Sequence, residues 1–205
     1  MNYLFIDTAE GTRVLLGVDG KTYYAENYNN AGAETLMPTV QKLLSEAGKA
    51  IKDIDILGAC VGPGSFTGIR IGLTTIKTLC YALDKPCFAV NNLRLYSYNN
   101  EERKVISLAA AGSNVVYLAR YDGDIELDAP RCMTVDDAFD YVKSNPDFAV
   151  STDRKLGKTF VGQSGVGEKE MIIAVEKHIS TAIGQRELLP LYIRKAQPER
   201  GDGDL

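Results

Sequence analysis

The sequence predicts an α/β protein that is built from two related lobes. Short apolar runs alternate with amphipathic helical patterns, and the order of three strands followed by a helix occurs once in each half of the chain. The chain has 205 residues, of which 45% are hydrophobic and 24% charged, so each lobe is large enough to bury its own core. We expect one lobe over residues 1–98 and a second one over 99–205, with the polar residues 91–103 as their connection.

The first lobe is predicted to open with a three-stranded meander in which Asp19-Gly20 forms a type I′ hairpin turn. Residues 55–61 are continuously apolar, as in a strand that is covered on both faces of a sheet. The expected elements are, in order, strands over 3–6, 13–18 and 21–26, a helix over about 33–47, a strand over 55–61, a helix over about 65–83 and a strand over 86–90.

The second lobe repeats this order, with Asp122-Gly123 as a turn between two strands. The residues from Gln197 onwards are polar and rich in glycine, so we expect a frayed tail. The expected elements are strands over 104–109, 115–120 and 125–127, a helix over about 134–144, a strand over 147–151 and a helix over about 168–183.

Composition argues against several classes of protein. With 23 basic and 27 acidic side chains the net charge is −4, which does not favour direct binding of tRNA as the main role. The start of the chain has no basic segment and no run approaches the ~20 apolar residues that span a bilayer, so we expect a cytoplasmic protein with no membrane partner. Four cysteines without a CxxC pair predict reduced core thiols, and the single histidine, His178, does not make a metal site.

The most informative segment joins the buried strand to the long helix and reads Gly-Pro-Gly-Ser-Phe-Thr-Gly-Ile-Arg-Ile-Gly over residues 62–72. Gly62 and Gly64 permit unusual backbone angles, and Ser65 can cap the helix. Such a turn could also hold an anion, although it lacks the lysine of a P-loop. A purely structural turn and a phosphate site both remain open.

The long helix is predicted to carry three stripes. The core stripe contains Ile69, Leu73, Ile76, Cys80 and Leu83. Gly68 and Gly72 lie on a second stripe and suggest the close approach of another backbone, from this chain or from another subunit. The third stripe would be an intermolecular face because aromatic residues and arginine are enriched at interfaces; it contains Phe66, Arg70, Thr74, Lys77 and Tyr81.

These motifs resemble those of the TsaB family, also called YeaZ. The similarity lies in the segment 61–72, in Ile6-Asp7-Thr8 at the start, in Leu36-Met37-Pro38 on the first helix and in residues 189–194 near the end. It implies an actin-like fold of the heat-shock-chaperone ATPase type, which is ribonuclease H-like and has two related lobes.

The resemblance also implies a function. Members of the family are the non-catalytic dimerisation subunit of the bacterial complex that transfers a threonylcarbamoyl group to the adenosine beside the tRNA anticodon. They bind the catalytic subunit TsaD, the ATPase TsaE joins the assembly, and tRNA is reached only through the complex. The first two helices pair with a second copy or with TsaD. No cofactor of its own is implied, but ATP or ADP at the subunit interface is compatible with the resemblance.

The resemblance places candidate residues on this sequence, none of them catalytic or metal-binding. The predicted partner interface comprises Leu36, Val40, Ser65, Phe66, Thr67, Gly68, Arg70, Ile71, Gly72, Thr74, Thr75 and Thr78. The candidate nucleotide or phosphate residues are Asp7, Thr8, Gly62 and Gly64. Asp7 could equally cap the turn to Gly11 through an Asx-type bond.

Two positions depart from the family pattern. Gly32-Ala33-Glu34 stands where members typically carry His-Ser-Glu, and Ala110-Ala111-Gly112 where many carry Asp-Ala-Arg. The second lobe therefore lacks the acid that an actin-like ATPase would need there. The alternative readings, a stand-alone nucleotide hydrolase or a glycopeptidase-like enzyme, are disfavoured by that missing acid and by the lack of a nucleophile with an oriented base.

Overall fold

The computed structural model describes residues 1–28 and 33–193, which form two compact units. The first unit contains Met1–Asn91 and Met171–Pro190, and the second contains Asn92–Glu170 and the described residues after Pro190. This division differs from the expected boundary between residues 98 and 99. The predicted tail from Gln197 and the family departure at Gly32 lie outside the described residues.

The first unit is a mixed five-stranded sheet with the strand order β3-β2-β1-β4-β5. β1 pairs antiparallel with β2 and parallel with β4, and β5 is parallel to β4. All five residues of β4 are buried, as its continuous apolar run predicts. Its elements are β1 (Tyr3–Asp7), β2 (Thr12–Val18), β3 (Lys21–Asn27), α1 (Ala33–Glu46), β4 (Ile56–Cys60), α2 (Phe66–Leu83) and β5 (Cys87–Val90).

The turn between β2 and β3 forms as the sequence predicts. Asp19 and Gly20 have φ angles of 52° and 77°, the left-handed values that a type I′ turn requires at both central positions. The chain returns to this unit near its end, where Ile183 forms an antiparallel bridge with Cys87 of β5. Two backbone hydrogen bonds of 3.0 and 2.7 Å join these two residues.

The second unit repeats the arrangement with the order β8-β7-β6-β9-β10. β6 pairs antiparallel with β7 and parallel with β9. Its elements are α3 (Asn92–Ser97), β6 (Lys104–Ala110), β7 (Val115–Asp122), β8 (Ile125–Thr134), α4 (Val135–Lys143), β9 (Ala149–Thr152) and β10 (Gln163–Ser164), and α5 (Glu168–His178) runs from this unit into the first.

Two differences from the expectation concern the second unit. Residues 91–103 are not a simple connection, because Asn92–Ser97 form α3, whose six residues are all buried and which packs on β6 and β7. β8 continues to Thr134, well beyond the predicted residues 125–127. Where the first unit has the long helix α2, the second has only a single 3₁₀ turn, Leu156–Lys158.

The shared strand order confirms the predicted α/β fold with two related lobes. In each unit the first strand lies at the centre, between the antiparallel second strand and the parallel fourth strand. This is the ribonuclease H-like arrangement of the actin-like fold. In the second unit apolar side chains of the sheet pack against α4 and the 3₁₀ turn, including Ile106, Leu108, Val116, Leu118, Ala138, Leu156 and Phe160.

The four cysteines, all within the described residues, are not joined by disulfides. Cys60, Cys80 and Cys87 are buried and Cys132 is half-buried. Burial raises the pKa of Cys80 to about 12. His178 is the half-buried last residue of α5, and no helix in the described part of the chain is long and apolar enough to cross a membrane.

Candidate functional site

The segment from Gly62 to Gly72 fastens α2 to the turn between β1 and β2. Gly62 has a φ of 103°, in the region that favours glycine, and the backbone amide of Ser65 donates to the carbonyl of Ala9 at 2.8 Å. Ser65 caps α2, since its Oγ accepts from the amide of Gly68 at 3.2 Å. These hydrogen bonds support the first of the two alternatives for this segment, a turn with a purely structural role.

The two helical glycines lie against this same turn. A Cβ on Gly68 would lie 2.0 Å from the carbonyl oxygen of Thr8, and a Cβ on Gly72 would lie 2.4 Å from Thr8 Oγ1. Thr8 Oγ1 also donates to the carbonyl of Gly68 at 2.7 Å. The close approach that the glycines predict is therefore made within the chain, and the alternative of a second subunit's backbone is not needed to explain them.

The outer side of α2 forms a continuous exposed surface, which we call the α2 face; its residues are Phe66, Thr67, Arg70, Thr74, Thr78 and Tyr81. Phe66 is 42% exposed and Tyr81 is 78% exposed. The guanidinium of Arg70 lies 4.2 Å from the ring centroid of Phe66, a cation–π geometry. An aromatic ring and a stacked arginine are thus presented to solvent side by side.

A groove of about 480 Å³ runs along this face. Its walls are mainly apolar and hydroxyl-bearing, with one charged side chain; they comprise Ala33, Phe66, Thr67, Arg70, Ile71, Thr74 and Thr75. Ala33 is the first residue of α1, so the groove joins the beginnings of the two helices. The predicted interface residues at the start of α2 therefore surround a single concave surface.

Three of the predicted interface residues must be corrected. Leu36 and Val40 are each 1% exposed, because they belong to the apolar stripe that turns α1 towards β2 and β3. Gly72 is buried beneath Thr8. These residues position the helices from inside the unit, whereas the exposed residues of the α2 face remain the predicted interface.

The turn between β1 and β2 contains a buried ion pair. Asp7 Oδ2 pairs with the guanidinium of Arg13, and both side chains are 0% exposed. Asp7 Oδ1 accepts from the amide of Ala9 at 2.8 Å, an Asx-type bond that ends at Ala9 rather than at the predicted Gly11. The carboxylate of Glu10 lies 3.7 Å from Arg13, so this cation has two acidic neighbours.

The candidate phosphate residues do not converge on one open site. Asp7 and Thr8 make the internal contacts described above, while Gly62 and Gly64 shape the turn that follows β4. A small pocket of about 110 Å³ lies beside them, between the β1–β2 turn and the first turns of α2; it is lined by Thr8, Glu10, Gly11, Thr12, Ser65, Thr67, Gly68 and Ile71. Arg13 gave no signal in the sequence beyond its place at the start of the apolar run 13–18.

In the second unit a buried acidic residue follows β9, and not β6 as the family pattern would have it. Asp153 follows β9, is 5% exposed, and accepts from the amides of Ala110 and Leu156 at 2.7 and 2.8 Å. It therefore ties the end of β6 to the 3₁₀ turn. No local pattern in the sequence marks Asp153, because only the parallel pairing of β6 with β9 brings it to Ala110.

The chain is similar to known proteins of one family. A family model described as "TsaD: tRNA N6-adenosine threonylcarbamoyltransferase" matches residues 26–171. The chain is 32% identical over 130 residues to the Escherichia coli protein named tRNA threonylcarbamoyladenosine biosynthesis protein TsaB, covering 60% of this chain and 56% of that protein. It is 38% identical over 78 residues to the protein of the same name from Bacillus subtilis, covering 38% of this chain and 32% of that protein.

A third relative, from Novosphingobium aromaticivorans, is named tRNA N6-adenosine threonylcarbamoyltransferase and is 44% identical over 63 residues, covering 31% of this chain and 18% of that protein. The chain thus spans between 18% and 56% of the length of these three relatives. Among solved structures, YeaZ from Pseudomonas aeruginosa superposes with a TM-score of 0.74 at 20% identity, covering 93% of this chain and 99% of that one. The similarity to YeaZ shows a common fold.

Proposed function

Because the chain belongs to the family described by the TsaD model and has TsaB proteins among its homologues, we propose that it is a TsaB-type, non-catalytic subunit for threonylcarbamoyl transfer to tRNA. Its task in this proposal is to bind and position the catalytic subunit TsaD. The sequence resemblance to TsaB is confirmed by these homologues, while the activity, partners and substrate of the assembly are what we propose.

The observation that carries the proposal is the α2 face. Exposed aromatic side chains and arginine are the residue types that dominate binding energy at protein interfaces. Phe66 and Arg70 are both exposed and stack on each other, and they adjoin a groove of about 480 Å³ that a partner side chain could enter. Burying this surface against a second protein would remove apolar area from water without disturbing the core beneath it.

The non-catalytic role is supported by what the acidic groups do. Asp7 is held by Arg13 and by the amide of Ala9, and Asp153 is held by two backbone amides. Each carboxylate acts as an internal brace in its unit. A nucleotide hydrolase would need such a group to face a metal ion and its phosphates, and a peptidase would need an activated nucleophile.

The same face would serve two partners in turn. A second copy of the chain would occupy the α2 face when TsaD is absent, and TsaD would displace it when the complex forms. We further propose that TsaE and tRNA associate through the complex and that the assembly works in the cytoplasm. ATP or ADP, where present, would lie at the subunit interface.

The proposal is tested by light scattering on a sizing column, with the chain alone and mixed with TsaD from the same source. We expect a homodimer that gives way to a mixed complex. Arg70→Glu should weaken both associations, since it reverses the charge at the centre of the face, while the melting temperature stays unchanged.

Lys158→Glu is the matched control, because it makes the same change of charge at an exposed position of the second unit. Both associations should survive this change. A chain that remains monomeric with TsaD present would contradict the proposal. Equal weakening by Arg70→Glu and Lys158→Glu would remove the α2 face from the interface.

A further inference from the structure

The β1–β2 turn holds three charged side chains that the proposed scaffold role does not use. Asp7 and Arg13 are completely buried, and the side chain of Glu10 is only 8% exposed. An isolated charge would not remain in such a place, because its desolvation is too costly unless a partner compensates it. The two buried carboxylates of this turn therefore need a cation from within the protein.

Arg13 supplies that cation from the neighbouring strand. Asp7 is the last residue of β1 and pairs in register with Arg13 on β2, so the two side chains meet across adjacent antiparallel strands. The guanidinium contacts Asp7 through Nη2 and approaches Glu10 through Nη1. One arginine thus faces both carboxylates.

The geometry does not fit a metal-bound nucleotide at this turn. Asp7 is 0% exposed and already contacts Arg13 and an amide, and the nearby pocket of about 110 Å³ is well below the roughly 300–1,000 Å³ of typical ligand sites. The carboxylate of Glu10 lines that pocket and would repel a phosphate. The amide of Gly68 at the start of α2 is taken by Ser65.

We propose that Arg13 is a built-in counter-ion that closes the β1–β2 turn to divalent cations and nucleoside phosphates. The turn becomes a rigid support on which Gly68 and Gly72 of α2 rest. This inference goes beyond the scaffold role and does not depend on it, because it concerns the chain alone. It stands against the expectation that Asp7, Thr8, Gly62 and Gly64 form a nucleotide or phosphate site, and it does not concern a nucleotide held by residues of a partner.

The test is nuclear magnetic resonance of the full chain, with the backbone amides of Ala9, Gly11 and Gly68 as reporters of the turn. Mn²⁺ alone and Mg²⁺·ATP are added separately to millimolar concentration, and the amide of Gly20, beyond the other end of β2, serves as the reference. We expect no selective broadening by Mn²⁺ and no selective shift by Mg²⁺·ATP at the reporters. Binding elsewhere that leaves these three amides unchanged also supports the proposal.

Saturable changes confined to Ala9, Gly11 and Gly68 in the wild-type chain would overturn it. Variants then test the pair itself. Arg13→Met should lower the melting temperature and allow Mn²⁺ to broaden the reporter amides, since Asp7 and Glu10 lose their cation. The double variant Asp7→Asn/Arg13→Met should lose this Mn²⁺ effect and recover part of the lost melting temperature.

An Arg13→Met chain that keeps the wild-type melting temperature and binds no Mn²⁺ would show that Arg13 is not the counter-ion. If the single variant does not fold, the wild-type titration still decides the question. Failure of the scaffold proposal is recognised separately, because it is read from association with TsaD and not from the reporter amides.

Discussion

Gly68→Ala should destabilise the first unit although the substitution favours helix formation. The new Cβ would lie 2.0 Å from the carbonyl oxygen of Thr8, whereas ordinary contacts begin at 3.4 Å. Helix and turn must separate by more than 1 Å to relieve this overlap, which would also break the bond from Thr8 Oγ1 to the carbonyl of Gly68.

The magnitude follows from three terms. An overpacked contact costs about 1–3 kcal/mol, the lost hydrogen bond about 1 kcal/mol, and the gain in helix propensity returns about 1 kcal/mol. We therefore expect the free energy of unfolding to fall by about 1–3 kcal/mol, measured by urea denaturation followed by circular dichroism.

Gly72→Ala provides the matched comparison. Its Cβ would meet the side-chain oxygen of Thr8 at 2.4 Å, while the Cβ of Thr8 lies at 3.5 Å. Thr8→Ala removes that oxygen, so it should restore stability to Gly72→Ala. It should leave Gly68→Ala impaired, because there the obstacle is backbone. A Gly68→Ala chain that is more stable than wild type by about 1 kcal/mol, as expected for an open helical position, would refute the internal contact.

Three further predictions follow from the same structure. Phe66→Ala should weaken self-association or TsaD binding by about 2 kcal/mol, roughly 30-fold in Kd by titration calorimetry, with unchanged melting temperature because the ring is already 42% exposed. Asp153→Ala should lower the urea unfolding free energy by about 2 kcal/mol, since the buried amide of Leu156 and the part-buried amide of Ala110 lose their acceptor. A stability equal to wild type would contradict the role of Asp153 in holding these two amides. Iodoacetamide at neutral pH should modify the half-buried Cys132 before Cys80, because burial raises the pKa of Cys80 to about 12 and keeps that thiol protonated. Mass spectrometry of the digested protein would show the order of labelling, and Cys80 should become modified only as the pH rises. Early labelling of Cys80 would argue against its burial.

Most of the elements could be predicted because they are set by nearby residues. The three-strand meander, the turn at Asp19-Gly20 and the two helices that follow have their patterns within a few residues of each other. The cap at Ser65 is equally local, with its bond spanning three residues. The buried helix α3 has no local signal of this kind, because its sequence is short and polar at both ends and its burial comes from β6 and β7.

Some features of the candidate site can likewise be predicted from the sequence, whereas others cannot. The fold class, the family resemblance and the exposed stripe of α2 follow from the sequence alone, because periodicity and a compact motif contain that information. The contact of Gly68 with Thr8, sixty residues away in sequence, and the burial of Leu36 and Val40 are known only from the three-dimensional structure. The same holds for the ion pair between Asp7 and Arg13. Such choices depend on which strands and helices become neighbours, and a residue's own segment does not contain the atoms that it will meet.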